Sequence, residues 1–191
     1  LLLIPWVISY VSAAYIWKWL YHSDYGLINN FLMRAHLIDE NINILDNVHR
    51  ALPALIIANI WKEFPFAMIM LLAGLQGVPD QLHRAALVDG AGTWARFWHI
   101  TMPQLKSVSI ITVLLLALTN LNSFTLVWIM TGGGPAGATD IWITQIYQLA
   151  FGRPTFGVAS AYSVILFLPM MSVGYFYVKA LPRGDDRQVA T

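Results

Sequence analysis

The chain has 191 residues, 58% of them hydrophobic and only 11% charged, with 8 Trp and a mean hydropathy of +0.60; a soluble domain carries about 25% charged residues, so a soluble globular protein is excluded and an integral membrane protein is indicated. A formal net charge of +1 without a basic stripe excludes a nucleic-acid partner. With no Cys there is neither a disulfide framework nor a Cys-based metal site.

About 20 apolar residues in a helix cross a hydrocarbon layer about 30 Å thick, where no backbone polar group can be left unpaired. Four stretches meet that requirement. The first, residues 1–20, opens without Met inside an apolar run that lacks the basic leader and cleavage site of a signal peptide. It closes on Tyr15, Trp17, Lys18, Trp19 and Tyr21, an aromatic and basic belt at one interface. The expectation is a single membrane domain over residues 1–191 whose amino-terminal part is missing. The second stretch, 51–74, is interrupted by Lys62, Glu63 and Pro65; the third, 107–130, has Asn120, Asn122 and Ser123 near its end; the fourth, 156–181, contains Pro169. The two prolines are read as helix kinks. None of the runs alternates with the period of two of a barrel strand, so the fold class expected is all-α and polytopic.

Between the first two spans, residues 24–50 are polar with short apolar stripes at Leu27, Ile28, Phe31 and Leu32 and at Ile42, Ile44 and Leu45, and are expected to lie along the membrane surface. The loop 131–155 begins Thr-Gly-Gly-Gly-Pro, a breaker signal, and continues into an amphipathic 141–151. Arg84, Arg96 and Lys106 crowd the central loop 75–106, and Lys179, Arg183 and Arg187 the tail, whereas the other two loops hold only Arg34, Arg50 and Arg153. The excess of basic residues puts the central loop and the carboxyl terminus on the cytoplasmic side.

The central loop has structure of its own. Pro79 and Asp80 form a helix start, Leu82, Ala85 and Ala86 an apolar face, and Asp89 and Gly90 a stop, with Gly90 free to take the positive φ of a helix terminus. A second short helix fits residues 93–101, with Trp94, Phe97 and Trp98 on one side and Pro103 as its terminator. The result is a helix-turn-helix bracket. On composition it reads either as an amphipathic segment in the lipid headgroups or as a knob for a partner protein, in which small alanines permit close approach and aromatics anchor the contact.

The run from Arg84 through Ala85, Ala86, Gly90, Ile100 and Met102 to Pro103, that is Arg-Ala-Ala-x3-Gly-x9-Ile-x-Met-Pro, resembles the EAA loop of the membrane subunits of binding-protein-dependent ABC importers. Arg84 stands where that family has Glu, and Met102 where it has Leu, the latter a volume-conserving change. Trp61, Pro65-Phe66, residues 72–76 (Leu-Ala-Gly-Leu-Gln), Asp89-Gly90-Ala91 and residues 131–135 (Thr-Gly-Gly-Gly-Pro) resemble its carbohydrate branch, the maltose, lactose and glycerol-phosphate permeases, across essentially all 191 residues. The resemblance implies four transmembrane helices out of an expected six and a cytoplasmic coupling loop formed by Arg84, Ala85, Ala86, Asp89, Gly90, Ala91, Phe97, Ile100 and Pro103. It also implies a second homologous permease subunit, two ATP-binding subunits that carry ATP and Mg, an extracytoplasmic solute-binding protein facing the two outer loops, and a sugar-like substrate. The chain itself has no Gly-x4-Gly-Lys-Ser/Thr loop, so it is expected to hold no cofactor and to catalyse no covalent step.

Amides and ionisable groups at membrane depth normally face a bundle interior or a water-filled path. Asn59, Lys62, Glu63 and Phe66 share one face of the second span, and Thr119, Asn120 and Ser123 one face of the third. The resemblance implies that these faces, with Trp61, line a sugar site, where amides and hydroxyls bond sugar hydroxyls and a ring such as Phe66 or Trp61 stacks on the sugar. The bland counterpart is that Lys62 and Glu63 pair with neighbouring helices or sit near the membrane interface, and that Asn120 is interhelical glue. An acidic substrate would take Lys62 as its counter-ion. His22, His36, His49, His83 and His99 show no ligand spacing, no Ser/His/Asp set can be assembled, and Asp185 and Asp186 belong to a solvated tail. The competing function is an ion-coupled secondary transporter or channel, with Lys62 and Glu63 as coupling groups; a membrane-embedded enzyme lacks the clustered groups it needs.

Overall fold

The computed structural model describes residues 2–121 and 123–180; Leu1, Asn122, Leu181, Arg183, Asp185, Asp186 and Arg187, which figure in the expectations above, lie outside them. Among the described residues all regular structure is helical. In order the elements are α1 (Ile4–Val7), α2 (Tyr10–Leu20), α3 (Leu27–Arg34), α4 (Ala51–Gln76), α5 (Asp80–Val88), α6 (Thr93–Arg96), α7 (Met102–Leu121), α8 (Phe124–Met130), α9 (Trp142–Tyr147) and α10 (Phe156–Ala180), with π-helical turns at Phe97–Thr101 and Gln148–Gly152. Among the described residues three helical stretches are long and apolar enough to cross a membrane: Ala51–Gln76, Thr93–Leu121 and Phe156–Lys179. Pro65 and Pro169 lie inside continuous helices. The architecture is all-α and polytopic.

Two of the four expected spans are corrected. The first is not one helix: α1 stops at Val7, and Ser9, in extended conformation, starts α2 anew by accepting the Ser12 N–H on its hydroxyl at 3.1 Å. At 1.5 Å per residue the 11 residues of α2 reach about 16 Å, half the apolar thickness. An apolar count detects greasy composition and is blind to a cap inside it. The third span begins earlier and ends earlier than expected. Helix runs from Thr93 through Pro103 to Leu121, and the chain then breaks, with the Ser123 N–H reaching back to the Asn120 carbonyl at 3.1 Å before α8 opens at Phe124.

Pro103 therefore terminates nothing. A proline ring normally collides with the carbonyl four residues before it. Just ahead of Pro103 the helix widens into the π-turn, where the Met102 N–H bonds the Phe97 carbonyl, and the added residue carries the preceding carbonyls out of the ring's way.

The chain divides into two compact units, Leu1–Phe66 with Asn120–Leu168, and Ala67–Thr119 with Pro169–Thr191. In the first, α2 packs on α8, and the core is Ala14, Ala54 and Ala58 interleaved with Leu55, Leu126, Val127 and Met130. Alanines at these positions let the helix backbones approach closely, the usual basis of packing between apolar helices in lipid. The Tyr21 hydroxyl donates to the Ala54 carbonyl at 3.2 Å, and burial pushes that hydroxyl's pKa up to about 12. The Lys18 ammonium donates to the Ile129 carbonyl at 2.9 Å, placing a cation on the last turn of α8, the end that its dipole makes negative.

The segment after α2 is pinned by Asn29, 1% exposed. Its amide donates to the carbonyls of Ser23 and Ile42 at 3.1 and 2.9 Å and accepts the Ile42 N–H at 3.2 Å. The 131–155 loop folds as its turn signal indicates. The Thr131 and Thr139 hydroxyls lie 2.7 Å apart, Thr139 donates to the Gly134 carbonyl at 2.5 Å, and Thr144 donates to Asp140 at 2.6 Å, after which α9 and its π-turn occupy the amphipathic stretch. In the second unit α4 meets α7 at Gly74, where a Cβ would sit 2.9 Å from Leu105 Cδ2 and 3.2 Å from Val108 Cβ, so the absent side chain sets the separation of the two helices.

Candidate functional site

The two residue groups singled out above occupy different places. On α4, Asn59 turns toward the end of α7: its amide N–H donates to the Asn120 side-chain carbonyl at 2.5 Å. This pair borders a cleft of about 200 Å³ whose remaining polar lining is Ser123 and the buried Thr139, set among Leu52, Ile56 and Ile141. The Asn59 side-chain carbonyl is shielded from solvent and accepts no hydrogen bond. Two amides and the Ser123 hydroxyl, with the Thr139 hydroxyl already held between Thr131 and the Gly134 carbonyl, make a neutral polar lining facing an apolar wall, chemistry suited to an uncharged polyhydroxylated solute. Thr139 is the member that sequence reasoning missed. It lies in the loop after α8, and its signal was the Thr-Gly-Gly-Gly-Pro turn, which returns the chain over that helix.

Thr119, expected beside Asn120, instead donates its hydroxyl to the Leu116 carbonyl of its own helix at 3.0 Å. Trp61 packs edge-on against Trp17, ring centres 5.6 Å apart, and lines a separate, almost wholly apolar hollow with Pro5, Ile57 and Phe64. Phe66 sits with its ring centre 6.2 Å from that of Trp6. Lys62 is 3% exposed and donates to the Trp6 carbonyl at 3.0 Å while its ammonium lies 4.6 Å over the Tyr10 ring. Glu63 accepts the Tyr10 hydroxyl. Asn59 and the Lys62, Glu63 and Phe66 group are thus neighbours along one helix with different partners. No group of three His, Cys, Asp or Glu side chains that could hold a metal occurs among the described residues.

The second constellation is the bracket in the other unit. α5 runs from Asp80 to Val88 and closes on Asp89. Gly90 takes φ +77°, its N–H bonds the Leu87 carbonyl at 3.1 Å, and the Ala91 N–H bonds the Ala86 carbonyl at 2.8 Å. These two bonds satisfy the last carbonyls of α5 in a Schellman turn, which needs a left-handed residue where Gly90 stands. A β-carbon there would meet no neighbour within 4 Å, so the requirement for glycine is purely conformational. After the turn, Trp94, Phe97 and Trp98 form a contiguous aromatic surface with ring centres 5.4 to 5.9 Å apart. Trp94 is 73% and Val88 88% exposed. Arg84 and Ala85 are exposed and Ala86 half-buried; Ile100 is half-buried within the π-turn and Pro103 exposed.

Residues 1–183 match the family described as binding-protein-dependent transport system inner membrane component. Among individual proteins, the chain is 35% identical over 186 residues to a probable ABC transporter permease protein of Brucella suis biovar 1, covering 97% of this chain and 64% of that one. It is 38% identical over 182 residues to the trehalose/maltose transport system permease protein MalF of Thermococcus litoralis, covering 94% and 60%. Its fold is similar to that of a bacterial alginate ABC transporter solved in complex with an alginate pentasaccharide-bound periplasmic protein, with a TM-score of 0.79, 24% identity, and coverage of 91% of this chain and 60% of that one. The chain thus spans a little under two thirds of the length of these relatives.

Proposed function

Because the chain belongs to the family of binding-protein-dependent transport system inner membrane components, we propose that it is a permease subunit of an ATP-driven importer for a sugar or sugar-like solute. Two of the relatives named above carry a substrate in their names, trehalose and maltose and alginate, and the observation that carries the reading to this chain is the neutral polar cleft lined by Asn59, Asn120, Ser123 and Thr139. Both helices that bring amides to that cleft continue in sequence to the bracket, α4 into α5 and α7 back into α6.

In this reading the bracket is a cytoplasmic coupling element seated in a groove of a separate ATPase. Arg84, Ala85 and Ala86 lie on its first helix, Asp89, Gly90 and Ala91 form its turn, and Phe97, Ile100 and Pro103 lie on its second limb. The exposed Trp94, Phe97 and Trp98 supply the apolar area such a contact needs. A second permease subunit completes the path, two ATPase subunits bind ATP and Mg, and a solute-binding protein delivers cargo to the outer loops. Closure of the ATPase pair pushes on the bracket and opens or shuts the path, so this chain converts displacement into access and performs no covalent chemistry.

The test is uptake of labelled maltose or trehalose by proteoliposomes holding the complete transporter. Uptake that requires both ATP and the liganded binding protein supports the reading. Transport that persists without the ATPase, or collapses with a proton uncoupler at constant ATP, overturns it in favour of an ion-coupled transporter.

A further inference from the structure

The break between α1 and α2 sets a problem that α4 solves. The last carbonyls of a helix have no partner within it, and in an apolar surround each unsatisfied one is costly. The Trp6 carbonyl, in the last turn of α1, is such a group, and Lys62 supplies its donor at 3.0 Å. The same ammonium lies 4.6 Å over the ring of Tyr10, the first residue of α2, and the Tyr10 hydroxyl donates to Glu63. One turn further along α4, Phe66 rests near the Trp6 ring. Three residues of a single helix therefore hold both sides of the break, with a cation placed where a helix carboxyl end favours one and over an aromatic face that attracts it.

We propose that Lys62 and Glu63 are positioning residues rather than solute ligands: they clamp the two halves of the broken first segment to α4 and so fix the rotation of α4 that turns Asn59 toward Asn120. Asn59 precedes Lys62 by three residues and Glu63 by four, one turn of the same helix. Any roll of α4 that freed the ammonium for a solute would also carry Asn59 away from its 2.5 Å contact with Asn120. The assignment of Asn59 to a solute path rests on the proposed function; the clamp itself does not. It leaves the cleft with an uncharged polar lining, Asn59, Asn120, Ser123 and Thr139, and gives this subunit no counter-ion for an acidic sugar there.

The chain contains no Cys, so a spin-label pair at Val7→Cys and Ile60→Cys, in the assembled transporter with cysteine-free partners, reads the α1–α4 separation directly. One narrow distance distribution is expected in the parent and with Lys62→Arg, and a broadened one with Lys62→Met and with Tyr10→Phe. A distribution unchanged by both Lys62→Met and Tyr10→Phe overturns the clamp, and Tyr10→Phe keeps the test open should Lys62→Met fail to assemble. Uptake supplies the second reading. The clamp expects Lys62→Met and Tyr10→Phe to lower the maximal rate several-fold in the same proportion for maltose and for an alginate oligosaccharide, whichever the transporter carries. A rise in apparent KM confined to the acidic oligosaccharide and seen with Lys62→Met alone makes the ammonium a solute ligand and overturns the proposal. If the parent carries neither of these two sugars, the distance measurement alone decides the clamp, and the proposed function is tested separately by ATP- and binding-protein-dependent uptake across a wider panel of sugars.

Discussion

In the unit that holds the break at Ile8–Ser9, polar side chains are engaged within the chain: Lys62 on the Trp6 carbonyl, Glu63 on Tyr10, Lys18 on the Ile129 carbonyl, and Asn59 on Asn120. Around the turn at Gly90 it is the apolar side chains that stand out, with Val88 and Trp94 among the most exposed large residues of the chain. Both regions depart from the rule for a membrane helix, in opposite directions, and the departures mean different things. Charge at membrane depth with a partner in the same chain closes the fold on itself. A block of exposed aromatics on a short, well-capped bracket remains incomplete until another surface covers it. Comparing the two separates residues engaged within the chain from residues whose exposed faces the proposed ATPase contact would cover.

The largest effect expected from breaking that contrast is at the bracket. Gly90→Val forces a β-branched residue to φ +77°, at a cost of about 1–3 kcal/mol, and should cut uptake at least about 10-fold while the chain still inserts and ATP hydrolysis loses its dependence on the binding protein. Normal coupled transport in that variant would remove the turn from the mechanism. Next, Trp94→Ala should weaken ATPase association by about 2 kcal/mol, the scale of an interface anchor, read as loss of the ATPase on co-purification at low concentration; retention at the parent level would return the aromatic surface to the lipid headgroups.

In the other region the effects are smaller. Asn120→Ala removes the acceptor of the Asn59 amide, and a net loss of about 1 kcal/mol should appear as an apparent affinity for solute weakened about 5-fold with assembly intact; an unchanged affinity and rate would make Asn120 interhelical glue. Lys18→Met should cost only about 0.5 kcal/mol, the worth of one cation at a helix carboxyl end, visible as a slight drop in thermal stability with transport unaltered. A severe transport defect there would show that Lys18 serves more than the last turn of α8.

Much of the bracket was legible in the sequence because its signals are local. Pro79-Asp80 starts α5, Asp89-Gly90 stops it, and the spacing of Trp94, Phe97 and Trp98 puts their rings together, all within one or two turns of chain. What escaped was non-local or depended on backbone geometry. Pro103 passed for a terminator because its accommodation needs a π-turn, which leaves no mark in composition. The apolar run 1–20 passed for one span because Ser9 looks like any small residue until its hydroxyl caps α2. Lys62 and Glu63 were rightly marked as unusual, yet their partners, Trp6 and Tyr10, lie more than fifty residues away, beyond any periodicity. Asn59 and Asn120 could be named by type and depth, but their contact depends on how α4 and the end of α7 meet.

The distance along the chain between Lys62 and the carbonyl it serves bears on biosynthesis. Translation reaches Trp6 56 residues before it reaches Lys62, so the break at Ile8–Ser9 emerges into the membrane with no donor yet made for it. Lys62, for its part, would be expensive to insert on a solitary helix. Each is a poor passenger alone, and the arrival of α4 relieves both in one step. Integration of the first segment is thereby tied to that of α4, and the order of synthesis puts the acceptor in place before the charge that needs it.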